Sequence, residues 1–144
     1  MDDVPIPALL RAARRTYGSA IRVALAEVGC DDVPRNGSFL IGGIARGGSP
    51  LSGITRELGV SKQAAGQLVD TLVLRGYLER SPDPDDRRRL TVTLTDRGRL
   101  AANASRRAVG TVDAELAARL GDEPVTQARA VLMELIEIGD DRSA

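Results

Sequence analysis

The first apolar pattern of the chain covers residues 7–28, where apolar positions recur at steps of three and four. They are Leu10, Ala13, Tyr17, Ala20, Ile21, Ala24, Leu25 and Val28. This spacing predicts an amphipathic helix, because such positions share one helix face. A cluster of turn-forming residues follows, and residues 38–45 then predict a second, mostly buried helix that ends at Gly47 and Gly48.

Two short helices separated by a tight turn are predicted in the middle of the chain. Ser52 can cap a helix that runs to Leu58, and Gly59 can adopt the left-handed conformation that closes it. Ser61 can cap the next helix, which ends at Gly76. Such a pair is the helix-turn-helix arrangement, whose second helix can enter the major groove of DNA while the first braces it.

The second half of the chain predicts a hairpin and two long helices. Residues 77–80 are strand-like, residues 90–94 alternate apolar residues with threonine, and the segment between them is rich in proline and aspartate. Thr95 can cap a long helix, and Asp122 starts the last one. The apolar stripe of that last helix, over residues 128–138, is larger than a domain of this size can cover by itself.

Composition places the chain among globular proteins with a core. It has 144 residues, of which 42% are hydrophobic and 28% charged, and this predicts a single domain over residues 1–144. The start of the chain is acidic, unlike a secretory signal, and the apolar stretch at 39–45 is too short to span a bilayer. We therefore expect a cytoplasmic protein with no membrane partner.

The residue inventory argues against the usual catalytic and metal chemistry. The chain has no histidine and one cysteine, Cys30, so it lacks the usual zinc ligands and histidine bases and cannot form an internal disulfide. We expect no enzyme activity, no metal and no cofactor. Basic and acidic residues number 20 each, so the net charge is zero and a case for DNA binding must rest on where the charges lie.

The most specific motif of the chain lies in residues 83–98 (DPDDRRRLTVTLTDRG). It contains Asp-x-Arg followed by Leu-Thr-x-x-Gly, carried by Asp86, Arg88, Leu94, Thr95 and Gly98. This motif resembles the wing signature of the MarR family of transcriptional regulators. Residues 61–70 (SKQAAGQLVD) and 75–78 (RGYL) resemble the recognition helix of that family. The resemblance holds residue by residue over 52–98, and the terminal helices match only in pattern and position.

The resemblance implies a mainly α-helical, winged helix-turn-helix fold with a small β-hairpin wing. Residues from about 36 to 98 would form the DNA-binding module, and residues 1–30 and 99–144 the dimerisation helices. The implied function is that of a ligand-responsive repressor, a homodimer that binds a pseudo-palindromic operator in double-stranded DNA.

Arginines at the tip of the hairpin are the first candidate DNA contacts. We expect Arg87, Arg88 and Arg89 to lie where the duplex backbone and minor groove pass, because guanidinium groups suit phosphates and narrow grooves. Asp86 is expected to orient Arg88 and stabilise the wing. The alternative is a solvated run of charges in which the aspartates neutralise the arginines.

Polar residues on the predicted recognition helix are candidate DNA contacts and base readers. They are Ser61, Lys62, Gln63 and Gln67. Lysine can donate to guanine and glutamine can bind adenine bidentately, although an ordinary exposed face is the alternative. The helix departs from the family pattern at Ala64 and Gly66. Gly66 either allows the backbone to approach DNA closely or reflects drift that the surrounding packing tolerates.

Three further residues are candidates for sensing. Tyr17 and Phe39 fall on helices that in this family help to line a small-molecule pocket, so they are candidate effector contacts, with core packing as the alternative. Cys30 invites comparison with the redox-sensing branch of the family, but the adjacent Asp31 and Asp32 disfavour a reactive thiolate.

Two alternatives to a ligand-responsive DNA-binding regulator remain open. One is a winged helix used only as a protein-interaction module, which would need neither the exposed polar helix face nor an arginine-tipped wing. The other is a thiol-based redox regulator that uses Cys30.

Overall fold

The computed structural model describes residues 3–47 and 50–144 of the chain. Within these residues it contains six α-helices and one two-stranded antiparallel sheet. The elements are α1 (Ile6–Glu27), α2 (Gly37–Arg46), α3 (Leu51–Glu57), α4 (Lys62–Leu74), β1 (Leu78–Pro82), β2 (Leu90–Leu94), α5 (Asp96–Leu120) and α6 (Asp122–Ser143). The predicted fold class, mainly α-helical with a β-hairpin wing, is confirmed. Gly47 ends α2 as predicted, and Gly48 lies outside the described residues.

The chain divides into two compact units, Met1–Val109 and Gly110–Ala144. The first unit contains α1 to α4, the hairpin and the first part of α5. The second contains the rest of α5 and α6. The assignment of one domain over residues 1–144, with a DNA-binding module between dimerisation helices, stays a prediction.

The core of the first unit is formed by apolar faces of its helices together with the start of the hairpin. Its most buried side chains are Leu25, Cys30, Leu40, Ile41, Leu72, Tyr77, Leu78, Ala101 and Ala104. The buried residues of α4, Ala65, Val69 and Leu72, form one apolar stripe at steps of four and three. Burial of that stripe leaves the opposite, polar face of α4 in solvent, as expected for an amphipathic helix.

Of the helix caps predicted at Ser61 and Ser52, the first is confirmed and the second is wrong. The hydroxyl oxygen of Ser61 accepts a hydrogen bond from the Ala64 N–H at 3.1 Å, so Ser61 caps α4 as predicted. The prediction that Ser52 caps α3 is wrong, because that helix begins at Leu51 and its N-cap is Pro50. Proline has no backbone N–H that needs a partner, and its fixed φ suits a helix start. The helix therefore begins at Leu51, before the position at which Ser52 could cap it.

The two strands of the wing pair in antiparallel register from Leu78 opposite Leu94 to Pro82 opposite Leu90. β1 therefore extends two residues beyond Arg80, where the sequence predicted its end. Pro82 is tolerated in the strand because both strands of a two-stranded sheet are edges, where a missing N–H donor costs little.

Candidate nucleic-acid interface

The polar face of α4 presents the side chains that the sequence assigned to base reading. Ser61, Lys62, Gln63 and Gln67 are all exposed. The buried residues Ala65, Val69 and Leu72 lie on the helix face opposite Gln63 and Gln67, while Ser61 and Lys62 are exposed at the helix start. The first turns of α4 can therefore offer an ammonium group and two amides to a groove without disturbing the core.

An ion pair joins the recognition helix to the wing. The guanidinium of Arg80 in β1 donates to the carboxylate of Asp70 on α4. This pair was not predicted from the sequence, where its only signal is two opposite charges on consecutive elements. The pair links the two elements that carry the candidate DNA contacts.

The tip of the wing is held by aspartate side chains that bind backbone N–H groups. Asp83 Oδ1 accepts from the Asp85 N–H at 2.9 Å, and Asp86 Oδ1 accepts from the Arg88 N–H at 3.0 Å. Asp86 thus fixes the backbone of the turn, a common role for aspartate two residues before the N–H that it binds. Its contribution to the stability of the wing stays a prediction.

The three arginines of the wing tip are exposed. In the part of the chain that the structure describes, Arg87, Arg88 and Arg89 form no ion pair, so the expected orientation of the Arg88 guanidinium by Asp86 is absent from this structure. Their guanidinium groups remain available to an anionic partner.

The start of α5 docks on the turn between α4 and β1. Thr95 Oγ1 accepts from the Gly98 N–H at 3.0 Å, which confirms Thr95 as the cap of α5, and the same hydroxyl donates to the Gly76 carbonyl. The Thr95 N–H donates to the Tyr77 carbonyl at 3.2 Å. A Cβ atom on Gly98 would overlap the Tyr77 carbonyl oxygen and lie 3.1 Å from the carbonyl carbon. The Leu-Thr-x-x-Gly part of the wing signature is therefore a docking motif for α5.

Four polar and aromatic residues meet beside this dock, and we call them the Asp32 cluster: Asp32, Arg75, Tyr77 and Arg97. The Tyr77 hydroxyl donates to the Asp32 carboxylate, and Arg97 Nη2 lies 2.9 Å from the same carboxylate oxygen. Arg75 donates to the Asp32 carbonyl. The Arg97 guanidinium lies 4.4 Å from the centre of the Tyr77 ring and donates to the Arg75 carbonyl.

The Asp32 cluster shifts the acidity of two of its members. The hydrogen bond from Tyr77 holds the pKa of Asp32 below its ordinary 3.8, aided by the charge of Arg97 and opposed by partial desolvation. Burial of the phenol raises the pKa of Tyr77 above its ordinary 10.0, and the hydrogen bond to the Asp32 carboxylate raises it further. Tyr77 therefore stays a neutral donor and Asp32 an ionised acceptor at neutral pH.

Cys30 lies in the core of the first unit, 1% exposed. Its Sγ is 3.8 Å from the Val28 carbonyl oxygen. A buried thiol is shielded from oxidants in solution, so this environment gives no support to the redox-sensing alternative.

An open groove of about 510 Å³ lies in the first unit between the end of α2, β2 and α5. Its apolar residues are Ile44, Ala45, Val92, Leu94 and Ala102, and its polar residues are Thr93, Arg99, Asn103 and Arg106. Neither of the predicted effector contacts lines this groove. Tyr17 is half-buried on α1 and Phe39 is 37% exposed on α2, so an effector role for them stays a prediction.

Residues 3–47 and 50–144 contain neither a cluster of metal ligands nor a membrane-spanning helix. No group of three or more Cys, Asp or Glu side chains there is placed to hold a metal ion. None of the helices described is both long and apolar enough to cross a membrane.

Comparison with known proteins matches both the sequence of the helix-turn-helix region and the fold. The MarR family model matches residues 32–89. No curated protein has a significantly similar sequence.

Solved structures resemble nearly the whole chain. A probable transcriptional regulator from Pseudomonas aeruginosa is 26% identical, with a TM-score of 0.68 over 94% of this chain and 99% of that chain. CouR from Rhodococcus jostii RHA1, bound to p-coumaroyl-CoA, is 25% identical, with a TM-score of 0.68 over 90% of each chain. MepR from S. aureus, in complex with DNA, is 18% identical, with a TM-score of 0.72 over 94% of this chain and 98% of that chain. The MarR family model thus matches the helix-turn-helix and the first wing strand, and nearly the whole chain resembles these regulators in fold.

Proposed function

We propose that this protein is a DNA-binding transcriptional regulator that acts as a homodimer on a pseudo-palindromic operator. The observation that carries the proposal is the exposed polar face of α4, which is joined through the Asp70–Arg80 ion pair to a wing with three unpaired arginines. A helix face with base-reading side chains and a hairpin with arginines at its tip are the two parts that winged helix proteins use on DNA. The net charge of zero is compatible with this role because Arg87, Arg88 and Arg89 stand together at the wing tip, where they can meet phosphates locally.

Exposed apolar residues support the homodimer. α6 has no buried residue, and Val131, Met133 and Ile136 on it are each more than half exposed. α1 exposes Ile6, Leu9 and Val23 to a similar extent. Large exposed apolar residues in this number are typical of a surface that a second chain covers. Two copies would bring two recognition helices to two half-sites, as a pseudo-palindromic operator requires.

A small-molecule effector is part of the same proposal, with repression as the direction of control. The groove between α2, β2 and α5 supports it, because it combines an apolar wall with arginines on α5 next to the wing. CouR was solved with p-coumaroyl-CoA, so a protein of this fold holds a small molecule. A ligand that binds better to one arrangement of the wing than to another would change the affinity for the operator.

Retention of genomic DNA fragments by the purified protein, followed by sequencing, tests the proposal. A regulator enriches a small set of fragments that share an inverted repeat, beginning with DNA near its own gene. A winged helix used only for protein interactions would retain nothing above competitor DNA, and that result would reject DNA binding.

Single substitutions on the enriched site then test the recognition face. Gln63→Ala should cost about 1 to 3 kcal/mol per half-site on the operator and little on random DNA, because a base contact specifies sequence and does not supply general affinity. Asp31→Ala is the control, since Asp31 is exposed in the turn after α1 and lies outside the recognition helix, the wing and the exposed apolar helix faces. Equal affinity of the Gln63→Ala and control proteins for the operator would remove Gln63 from the base readers.

A further inference from the structure

The Asp32 cluster joins four separate segments of the first unit. Asp32 lies in the turn after α1, Arg75 is the C-cap of the recognition helix α4, Tyr77 precedes β1, and Arg97 lies in the first turn of α5. The residues bonded to Asp32 follow it by 43, 45 and 65 positions. All the contacts converge on the C-terminal end of α4, at the opposite end of the helix from the candidate base readers.

Arg97 is the most connected member of the cluster. Its guanidinium donates to the carbonyls of Arg75 and Gly29, the latter at 3.3 Å, and to the carboxylate of Asp32, while its plane lies over the Tyr77 ring. A planar guanidinium that is held by several acceptors and a ring has little freedom to move. A lysine could supply the charge at this position but not the same set of directions.

Besides the Asp70–Arg80 ion pair with the wing, the rest of the α4 packing is apolar, through Ala65, Val69 and Leu72. The hydrophobic contribution to this packing is not directional, and the fit of the side chains sets the packing angle of the helix only approximately. Hydrogen bonds to carbonyl and carboxylate oxygens depend strongly on distance and angle. The cluster therefore supplies the directional contacts at this end of α4.

We propose that the Asp32 cluster positions the recognition helix, with Asp32 and Arg97 as positioning residues that determine how precisely Gln63 and Gln67 meet the bases. The inference rests on the proposed DNA-binding function for its effect on operator choice, and on the structure alone for its effect on α4. From Arg75 to Gln63 the helix axis runs about 18 Å, so a tilt of about 5° at the cluster moves Gln63 by about 1.5 Å. That displacement is enough to break a base-edge hydrogen bond, whereas a phosphate contact through a long arginine can adjust.

The test compares Asp32→Ala with Asp31→Ala, which removes an exposed carboxylate from the same turn. We expect Asp32→Ala to lower affinity for the operator about tenfold or more, the effect of losing one base contact, and to leave affinity for random DNA within about twofold. Asp31→Ala should match the wild type on both kinds of DNA. Equal operator affinity in the two variants, or a loss of the same size on operator and random DNA, would overturn the proposal.

A second readout does not involve DNA. Backbone hydrogen exchange should speed up near Arg75 and along α4 in Asp32→Ala while α3 exchanges at the wild-type rate, because only the cluster contacts are removed. Unchanged exchange in α4 would overturn the positioning role of the cluster, whether or not the protein binds DNA. Failure of the wild type to retain DNA would reject only the proposed function. If Asp32→Ala does not fold, Tyr77→Phe takes its place, since it keeps the ring beneath Arg97 and removes only the bond to Asp32. Operator affinity equal to that of Asp31→Ala, or unchanged exchange in α4, would then overturn the proposal for Tyr77→Phe as well.

Discussion

Asp70 on the recognition helix and Arg80 in the first wing strand form an ion pair, so the two elements assigned to DNA contact are tied to each other directly. The side chains are 68% and 39% exposed, respectively. Water and salt screen the attraction between two groups this exposed, so the pair contributes little to the free energy of folding. Its main effect is to hold the recognition helix and the wing in a defined relative position.

The first prediction concerns the strength of this pair. A double-mutant cycle with Asp70→Asn and Arg80→Gln should give a coupling energy of about 0.5 kcal/mol in urea unfolding, decreasing in high salt. A coupling above about 2 kcal/mol would mean that the pair is far less solvated than the exposed fractions indicate.

The second prediction follows from the close approach of Gly98 to Tyr77. Gly98→Ala should destabilise the fold by about 2 kcal/mol or more, because the new methyl group would overlap a backbone oxygen that cannot move without disturbing the dock of α5. Gly66→Ala is the matched control, since nothing lies within 4 Å of a Cβ atom there. It should stabilise α4 by about 0.5 to 1 kcal/mol. Denaturant unfolding measures the change in stability of each variant. Similar changes in the two variants would contradict the close docking of Gly98 on Tyr77.

The third prediction is a pH dependence centred on the Asp32 cluster. Because the pKa of Asp32 is lowered on folding, its contribution to stability is present above 3.8 and is lost as the pH falls through that value toward the folded pKa. The difference in urea midpoint between wild type and Asp32→Asn should therefore shrink below pH 3.8. A difference that is constant across the acid range would show that ionisation of Asp32 does not contribute.

A fourth prediction concerns the alkaline side of the same cluster. The pKa of Tyr77 is raised on folding, so the stability that its neutral form contributes is complete below pH 10.0 and is lost as the pH rises toward the folded pKa. Wild type should lose stability faster above pH 10.0 than Tyr77→Phe does. Parallel urea midpoints for the two proteins from pH 9 to 11 would contradict the shift.

A fifth prediction tests the wing. Arg88→Ala should weaken binding to operator and random DNA alike, because a phosphate contact carries no sequence information. In a dimer, two lost contacts should reduce the slope of log affinity against log salt concentration by roughly two units, about 0.9 per phosphate. Arg119→Ala is the control, because Arg119 is exposed and paired with Glu115 on the same helix. An unchanged slope in a folded Arg88→Ala protein would remove Arg88 from the DNA contacts.

Much of the local structure could be predicted from the sequence. The helix pair around Gly59, the caps Ser61 and Thr95, and the second wing strand lie where the pattern placed them. Each depends on residues within about four positions of one another, so local spacing and turn chemistry are sufficient. Ser52 shows the limit of this reasoning, because Pro50, two residues earlier, also favours a helix start and is the N-cap that the structure has.

Part of the candidate site could also be predicted from the sequence, and part of it could not. The sequence alone determined that Gln63 and Gln67 lie opposite Ala65, Val69 and Leu72, because helical periodicity fixes which residues share a face. Only the tertiary structure decided that Asp32 would meet Tyr77 and Arg97, which follow it by 45 and 65 positions, and that Gly98 must lack a side chain. Such contacts depend on the angles at which helices pack, and those angles follow from the fit of whole surfaces that no short segment of sequence contains.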